Sequence, residues 1–454
     1  MLTVKLRQLS GLALLLSGII YQSVVAQTAS YQMLMQDVLI NADLWGDSPS
    51  ILSANYAFEN IIGVPGNQQD VIAAGGTWET VTSSTDPPYR ALTSSATPQQ
   101  VAFGFGYPVS HADAMPVVFS WPVLPSTVQP SDFRITLNTG AVVTPMVVSI
   151  SPNIEYNERN TVVVFGEFGN RLTPATEGAI YIERTEIVDD GTPLKLVGAS
   201  GPVSAVGLSR TSGNPWLPGG GPTLVGAKLS HMLTTGEGAP ALFGAAQLPN
   251  DGLALYGSDA QFRLRVLTTG GFSADGVVSV LPSDFATFFR IRLMDNGMEQ
   301  WLTQTGTSYA TSAGSITVVG LADLGLGTDP YNDGYIEDHD NQIDIILKGD
   351  ESAMRLITDV EIPAAGGYSP FYNPGGPGNN PTPGVAYTQP GPYDLQPVII
   401  AIDDPLTVTY IIPEPATSTS VLVAMLVAML VVVTMSGRSH RTNPKIDHCN
   451  DSGL

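Results

Sequence analysis

Glycine and proline interrupt this chain too often for long helices. The sequence has 47 glycines and 35 prolines among 454 residues, and both residue types weaken or break a helix interior. Short runs rich in β-branched and aromatic residues lie between them, such as 133–137, 161–165, 261–267, 288–294, 342–347 and 407–412. Short runs of this kind with frequent turn residues are typical of sandwiches and barrels. The sequence therefore predicts an all-β fold of β-sandwich-like modules.

Two β-rich modules are expected in the middle of the chain, spanning residues 27–200 and 201–412. The second is expected to contain an acidic loop at 329–344 and a loop rich in proline and glycine at 365–396. A stalk between the core and the membrane is the alternative for the second of these loops.

The N-terminus has the three parts of a secretory signal. Lys5 and Arg7 precede an apolar run at 12–20, and Val24-Val25-Ala26 supplies the small residues of a cleavage site. We therefore expect residues 1–26 to be a cleaved signal peptide. An uncleaved N-terminal anchor is the alternative, although the run is shorter than the roughly 20 apolar residues of a membrane span.

A second apolar segment lies near the C-terminus. Residues 416–437 carry no charge and are long enough to cross a bilayer as one transmembrane helix. Cationic residues follow the segment, which predicts a cytoplasmic location for that flank. Residues 27–415 are therefore expected outside the membrane and the tail, 442–454, in the cytoplasm. A buried core helix is the alternative.

The residues around this helix resemble a known sorting signal. Pro413-Glu414-Pro415, then one apolar helix, then Arg438 and Arg441 resemble the PEP-CTERM signal of Gram-negative bacteria that make exopolysaccharide. The resemblance covers 413–441 and implies recognition by an exosortase, a membrane cysteine protease-transpeptidase. It also implies delivery of the exported part to the outer surface or matrix. An ordinary single-pass anchor is the alternative.

The charge balance excludes one class of partner. Five of the 19 basic residues and two of the 41 acidic residues lie in the signal peptide or after residue 415, so the exported part carries 14 basic and 39 acidic residues. Such a surface attracts divalent cations and lacks the basic face of a nucleic-acid binder. The single cysteine, Cys449, lies in the tail, which excludes a disulfide framework and a cysteine-based zinc site.

One acidic segment has the spacing of a calcium-binding loop. Within residues 329–340, Asp329, Asp333, Glu337 and Asp340 occupy positions 1, 5, 9 and 12, with glycine at position 6. The segment resembles EF-hand and dockerin-like loops, in which oxygen ligands converge on Ca²⁺. We expect these four carboxylates to bind a stabilising Ca²⁺ ion. A solvated acidic turn is the alternative.

Catalytic motifs are sparse. Gly46-Asp47-Ser48 resembles the nucleophile block of GDSL-type hydrolases, but no later block and no Gly-x-Ser-x-Gly elbow accompanies it. A serine triad in the exported part would have to use His111, His231 or His339. No catalytic residue is predicted, and a secreted hydrolase acting on extracellular polysaccharide or ester substrates is the alternative function.

Two pairs of arginines occur at strand spacing. Arg263 and Arg265, and likewise Arg290 and Arg292, place both side chains on one face of a strand. On neighbouring strands the four would form a cationic stripe suited to a carboxylate or sulfate of a polysaccharide. Pairing with acidic residues on adjacent strands is the favoured alternative.

The tryptophans have two interpretations. Exposed indoles would stack on sugar rings, whereas most are expected in the core. The five residues are Trp45, Trp78, Trp121, Trp216 and Trp301.

Location and composition favour a binding or structural role over catalysis. We expect an exported protein, anchored in the membrane through 416–437 or sorted to the surface, that acts at the cell surface or in the extracellular matrix. Ca²⁺ and extracellular polysaccharide are the expected ligands.

Overall fold

The computed structural model describes most of the chain between Ala29 and Ile412. The described ranges are 29–54, 58–62, 68–73, 78–81, 90–93, 98–170, 176–212, 223–234, 238–240, 251–270, 282–322, 341–363 and 394–412. The expected signal peptide, the calcium-loop residues 329–340, most of 365–396, the sorting signal 413–441 and the tail lie outside these ranges. Every helix within them is too short or too polar to cross a bilayer.

The described chain is mostly β, which confirms the all-β expectation. Its strands are β1 (Val38–Asp43), β2 (Ile51–Ala54), β3 (Phe58–Ile62), β4 (Trp78–Val81), β5 (Arg90–Thr93), β6 (Ala112–Phe119), β7 (Phe133–Leu137), β8 (Val142–Val143), β9 (Val147–Ser149), β10 (Thr161–Gly166), β11 (Ile182–Ile187), β12 (Lys195–Gly198), β13 (Gly201–Ser204), β14 (Ser209–Thr211), β15 (Leu224–His231), β16 (Phe262–Thr268), β17 (Arg290–Asp295), β18 (Met298–Leu302), β19 (Ser308–Thr311), β20 (Gly314–Ala322), β21 (Gln342–Gly349), β22 (Ile357–Ile362), β23 (Asp394–Pro397), β24 (Ile399–Ile400) and β25 (Thr407–Ile411). The α-helices are α1 (Ala29–Leu34), α2 (Gln68–Ala73), α3 (Pro98–Phe105), α4 (Asp251–Tyr256), α5 (Phe285–Phe288) and α6 (Glu351–Met354). Short 3-10 helices occur at Pro125–Thr127, Pro130–Asp132 and Gly257–Asp259.

Two sheets enclose a first apolar core. One has the strand order β2-β6-β10-β9, with β3 also paired to β6, and the other has the order β14-β11-β7-β8. Phe133, Ile135 and Leu137 of β7 lie in this core. These apolar residues alternate with polar ones, and a strand places all three on the face that packs in the core. β6 and β10 are buried along their whole length, because Val163 and Phe165 on their other face pack in a smaller apolar cluster with Val101 of α3.

A second pair of sheets encloses a separate core. One sheet has the order β19-β20-β21-β16-β15-β24 and the other has the order β18-β17-β22-β23. Leu264 of β16 and Ile291 of β17 both lie in this core. The alternate residues of β16, Arg263 and Arg265, are buried as well. Both faces of the six-stranded sheet are therefore covered at β16.

The two cores follow the order of the chain. The first takes its buried residues from 34–205 and the second from 224–402. The module boundary after residue 200 stays a prediction. The described residues up to Tyr410 belong to one compact unit, and polar contacts link the two parts, such as the 2.8 Å hydrogen bond from Asn153 Nδ2 to Asn341 Oδ1.

Three two-stranded ribbons complete the described strands: β1 with β25, β12 with β13, and β4 with β5. In the β12–β13 hairpin, Gly198 lies opposite Gly201, so Ala199 and Ser200 form a two-residue turn. The residues after β1, this turn and the residues before β25 form the candidate site.

Candidate functional site

An open groove lies where the ends of several short elements meet. Its volume is about 500 Å³, within the range of roughly 300–1,000 Å³ that small-molecule sites occupy. Its walls are mainly aliphatic and aromatic. The lining residues are Leu44, Gly46, Asp47, Trp121, Ala199, Ser200, Gly201, Val203, Ile399 and Leu406. The groove could not be recognised in the sequence, because its lining residues come from five separate parts of the chain.

Trp121 is the aromatic residue of the groove and is held in one position. Its indole Nε1 donates a 2.7 Å hydrogen bond to the carbonyl oxygen of Gly46. Its six-membered ring packs directly on Gly198, where a Cβ atom would collide with the ring. The side chain is half-buried. The structure therefore presents a fixed aromatic surface that is partly open to solvent.

Polar groups lie at the rim of the groove. Asp47 and Ser200 are both exposed. Among the residues that line the groove, Asp47 is the charged one. The groove thus combines an aromatic and aliphatic floor with one carboxylate and one hydroxyl at its edge.

Leu406 lines the groove in a left-handed backbone conformation, with φ of 50°. Such a conformation costs about 1–3 kcal/mol for a residue other than glycine and persists only where the surroundings hold it. Here the carbonyl oxygen of Leu406 accepts hydrogen bonds from the backbone N–H of Leu44 and from Nζ of Lys228, each at 2.9 Å. Lys228 therefore helps to hold the backbone of Leu406 in this conformation.

Lys228 belongs to a buried group of charged side chains, called here the charge cluster. Its members are Asp43, Glu158, Lys228, Arg263, Arg265 and Asp344, each no more than 5% exposed. The three cations and three carboxylates balance in formal charge. Asp43 and Glu158 belong to the first part of the chain and the other four residues to the second, so the cluster joins the two parts.

Direct ion pairs hold the charge cluster together. Lys228 is paired with Asp43, and Nη1 of Arg265 lies 3.2 Å from Oδ2 of the same carboxylate. Nε and Nη2 of Arg265 also donate to the two oxygens of Asp344, at 2.7 and 2.9 Å. Arg263 lies 3.8 Å from both Asp43 and Asp344. Such pairing is required because an uncompensated buried charge is strongly destabilising.

The pKa values of the central pair follow from this packing. Burial acts to raise the pKa of Asp43, but the attraction of Lys228, Arg263 and Arg265 outweighs it and holds this pKa below its ordinary value. Burial lowers the pKa of Lys228 to about 8, although the attraction of Asp43 opposes this effect. Lys228 and Asp43 are therefore both charged at neutral pH.

The arginine pairs do not form the cationic stripe. β16 and β17 belong to different sheets, and the β16 arginines are buried, so that interpretation is wrong. Pairing with acidic residues across adjacent strands is confirmed. The pairs, each between residues opposite one another in a sheet, are Arg265–Asp344 (2.7 Å), Arg290–Glu361 (2.8 Å) and Arg292–Asp359 (2.9 Å).

Two of the other tryptophans are in contact with other parts of the protein. Trp45 is buried at 6% exposure, in the core. Trp301 is half-buried on β18, and the guanidinium of Arg290 lies 4.3 Å from the centre of its ring. Its indole Nε1 donates to Glu299 at 2.6 Å. Trp301 is therefore engaged by charged neighbours, whereas Trp121 faces a groove.

The described histidines lie away from the groove lining. Nε2 of His231 lies 3.5 Å from a carboxylate oxygen of Glu351, and its ring stacks on Phe262 with 4.8 Å between the ring centres. His111 is exposed at the start of β6, and His339 is outside the described residues. Asp47 lines the groove, but its lining includes neither Ser48 nor a histidine of the described chain. The hydrolase interpretation stays a prediction.

The expected metal ligands Asp329, Asp333, Glu337 and Asp340 lie outside the described residues. The same is true of the sorting-motif residues Pro413, Glu414, Pro415, Arg438 and Arg441. Within the described ranges, no group of three or more histidine, cysteine or acidic side chains is arranged to hold a metal ion.

No protein-family model, curated protein or solved structure gives a significant match to this chain.

Sequence reasoning did not select Lys228, Asp43 or Leu406. One signal was present, because Lys228 interrupts the apolar run of β15, where a charge is unexpected unless it is paired in the core. Its partner could not be read from the sequence, since Asp43 lies 185 positions earlier along the chain.

Proposed function

We propose that this chain is an exported β-rich protein with a binding or structural role at the cell surface or in the extracellular matrix. In this proposal the two parts of the chain, 27–200 and 201–412, are β-sandwich-like modules, followed by one transmembrane helix within 416–437. The groove beside Trp121 is the observation that carries the binding role. A fixed, partly exposed indole beside polar groups favours contact with a ligand over a role in the core.

The location rests on the two ends of the sequence. The signal peptide at 1–26 supports export, and the resemblance of 413–441 to a PEP-CTERM signal supports processing by an exosortase. The acidic exported part is consistent with a protein that remains soluble outside the membrane. Either retention by the transmembrane helix or release to the surface satisfies the proposal.

Intact-mass analysis of the protein from its host tests the location. Membrane, surface and medium fractions are separated, and the mass of the chain is measured in each. We expect a chain that lacks residues 1–26, and a mass ending near Pro415 in the surface or medium fraction after sorting. A mass that retains Cys449, found with membranes alone, indicates an ordinary single-pass anchor. A full-length chain in the cytoplasm contradicts the proposal.

The proposal includes a stabilising Ca²⁺ ion held by Asp329, Asp333, Glu337 and Asp340. These residues lie between β20 and β21, which are neighbours in the six-stranded sheet. An ion bound there would stabilise the connection between two central strands.

A further inference from the structure

We propose that the groove beside Trp121 binds a neutral polysaccharide, with one sugar ring stacked on the indole and its hydroxyl groups directed to Asp47 and Ser200. The inference rests on the proposed binding role and deepens it by naming the chemical class of the ligand. Three properties of the groove carry it: its shape, its rigidity and its charge.

The shape of the groove favours a ligand with two different sides. Its floor is apolar, formed by Trp121 with aliphatic residues such as Leu44 and Ile399, while Asp47 and Ser200 at the rim are exposed. A purely apolar ligand in an open groove would leave part of its own surface in water, which is unfavourable. A sugar ring presents C–H groups on its faces and hydroxyl groups around its edge. It therefore covers the indole while its hydroxyls remain hydrogen-bonded.

Rigidity lowers the entropic cost of binding. The hydrogen bond to Gly46 and the packing against Gly198 fix the Trp121 ring before any ligand arrives. Leu406, another residue of the lining, is fixed by the hydrogen bonds that its carbonyl accepts. A preformed surface loses little conformational freedom when it is occupied. Such a surface suits a weak, repeated contact with a polymer.

Charge selects a neutral ligand among polysaccharides. The charged residue of the groove lining is Asp47, an acid, and the exported part has 39 acidic against 14 basic residues. This field repels uronate and sulfate groups. A neutral hydroxyl donates a hydrogen bond to a carboxylate, and charge-assisted bonds of this kind are stronger than neutral ones.

Titration of the full chain with defined oligosaccharides tests the proposal. The protein is purified in a detergent without a sugar headgroup, and binding is followed by calorimetry and by tryptophan fluorescence. The probes are cellohexaose, xylohexaose and mannohexaose, with hexagalacturonate as the anionic comparison and decaproline as a peptide comparison. We expect at least one neutral hexasaccharide to bind and hexagalacturonate to bind more weakly.

Variants assign the binding to the groove. Trp121→Ala is expected to weaken the binding of the neutral hexasaccharide by about tenfold or more, because the stacking surface is lost. Trp301→Ala is the matched control, since it removes a half-buried tryptophan outside the groove, and its affinity should equal that of the wild type. If Trp121→Ala fails to fold, Ala199→Arg obstructs the groove from an exposed turn and should likewise weaken binding by about tenfold or more.

Three results would overturn the proposal: no neutral hexasaccharide binds the folded wild type, the groove variants bind as well as the wild type, or decaproline binds in a Trp121-dependent way while no sugar does. These results differ from a failure of the proposed location. A cytoplasmic full-length chain refutes export but leaves the sugar titration intact, and an absent sugar response leaves the mass analysis intact.

Discussion

At the scale of the residue, Lys228 connects the two most unusual features of this protein. Its ammonium group is paired with Asp43 inside the charge cluster and also donates to the carbonyl of Leu406 at the groove. The first contact compensates a buried charge, and the second holds a left-handed backbone in place. A change in the cluster should therefore reach the groove wall through Leu406.

Replacement of Asp43 by asparagine tests the charge cluster. Asp43→Asn keeps the shape but leaves Lys228 and Arg265 with an unbalanced buried charge, so we expect the free energy of unfolding to fall by about 3–5 kcal/mol. Glu183→Gln on the exposed face of β11 is the matched control, with an expected change within about 0.5 kcal/mol. Urea unfolding followed by tryptophan fluorescence measures both. Equal losses in the two variants would contradict the role of the cluster.

The same carboxylate predicts a dependence of stability on pH. The pKa of Asp43 is lower in the folded protein than in the unfolded chain, where it is about 3.9. The ionised Asp43 therefore contributes fully to the free energy of unfolding above about pH 4. This contribution is lost as the pH falls through the pKa that Asp43 has in the folded protein. We expect the difference in stability between wild type and Asp43→Asn to shrink below pH 4. A difference that stays constant down to the acid transition would contradict this.

At the scale of the element, short hairpins and connections carry the candidate sites while the sheets carry the cores. The β12–β13 turn supplies Ala199 and Ser200 to the groove, and Gly198 of the same hairpin leaves room for the Trp121 ring. The expected calcium loop likewise connects two paired strands, β20 and β21. Loops on a rigid scaffold are where binding residues are commonly found.

Chelation tests whether the expected calcium loop binds Ca²⁺. If Ca²⁺ binds the four carboxylates, removal with EDTA should lower the melting temperature, because an ion bound to the folded state at 100 times its Kd adds about 2.7 kcal/mol. Asp333→Ala combined with Asp340→Ala should remove the response. Asp189→Ala combined with Asp190→Ala, on an exposed turn elsewhere, should retain it. Equal melting of the wild type with and without EDTA would rule the ion out.

At the scale of the whole molecule, the charge cluster couples two apolar cores. One core includes Phe133 and the other includes Leu264, and each part of the chain contributes charges that the other part neutralises. Unfolding of either part alone would leave buried charges without partners or expose them to water. The two parts are therefore expected to depend on each other for stability.

Calorimetry tests this coupling. We expect one unfolding transition for the wild type, with calorimetric and van't Hoff enthalpies in agreement. In Asp43→Asn the two cores should separate into two transitions, because the compensation between them is weakened. Two well-resolved transitions already present in the wild type would show that the cores unfold independently.

Strand formation was largely predictable from the sequence because its causes are local. The strand at 133–137 begins and ends at the residues expected, since alternating apolar residues and flanking turn residues define it. The pairing of arginines with acidic residues was also predictable in kind, because an acidic chain offers many partners. The identity of each partner was not, since Arg290 and Glu361 are brought together by the pairing of β17 with β22.

The candidate groove could not be predicted for the same reason. Trp121 was one of five tryptophans considered together, and its position depends on Gly46 and Gly198 from distant parts of the chain. The position of Lys228 in an apolar run indicated a buried charge, but its partner, Asp43, could be identified only in the folded structure.

The all-β class and the acidic charge of residues 27–415 follow from the sequence, because they depend on residue type and short-range spacing. Three features emerge only in the folded chain: β16 and β17 lie in different sheets, Asp43 pairs with Lys228, and Trp121 lines a groove. Those features depend on packing between residues far apart in the chain, which local backbone preferences do not specify. Burial of apolar surface and pairing of buried charges select that packing.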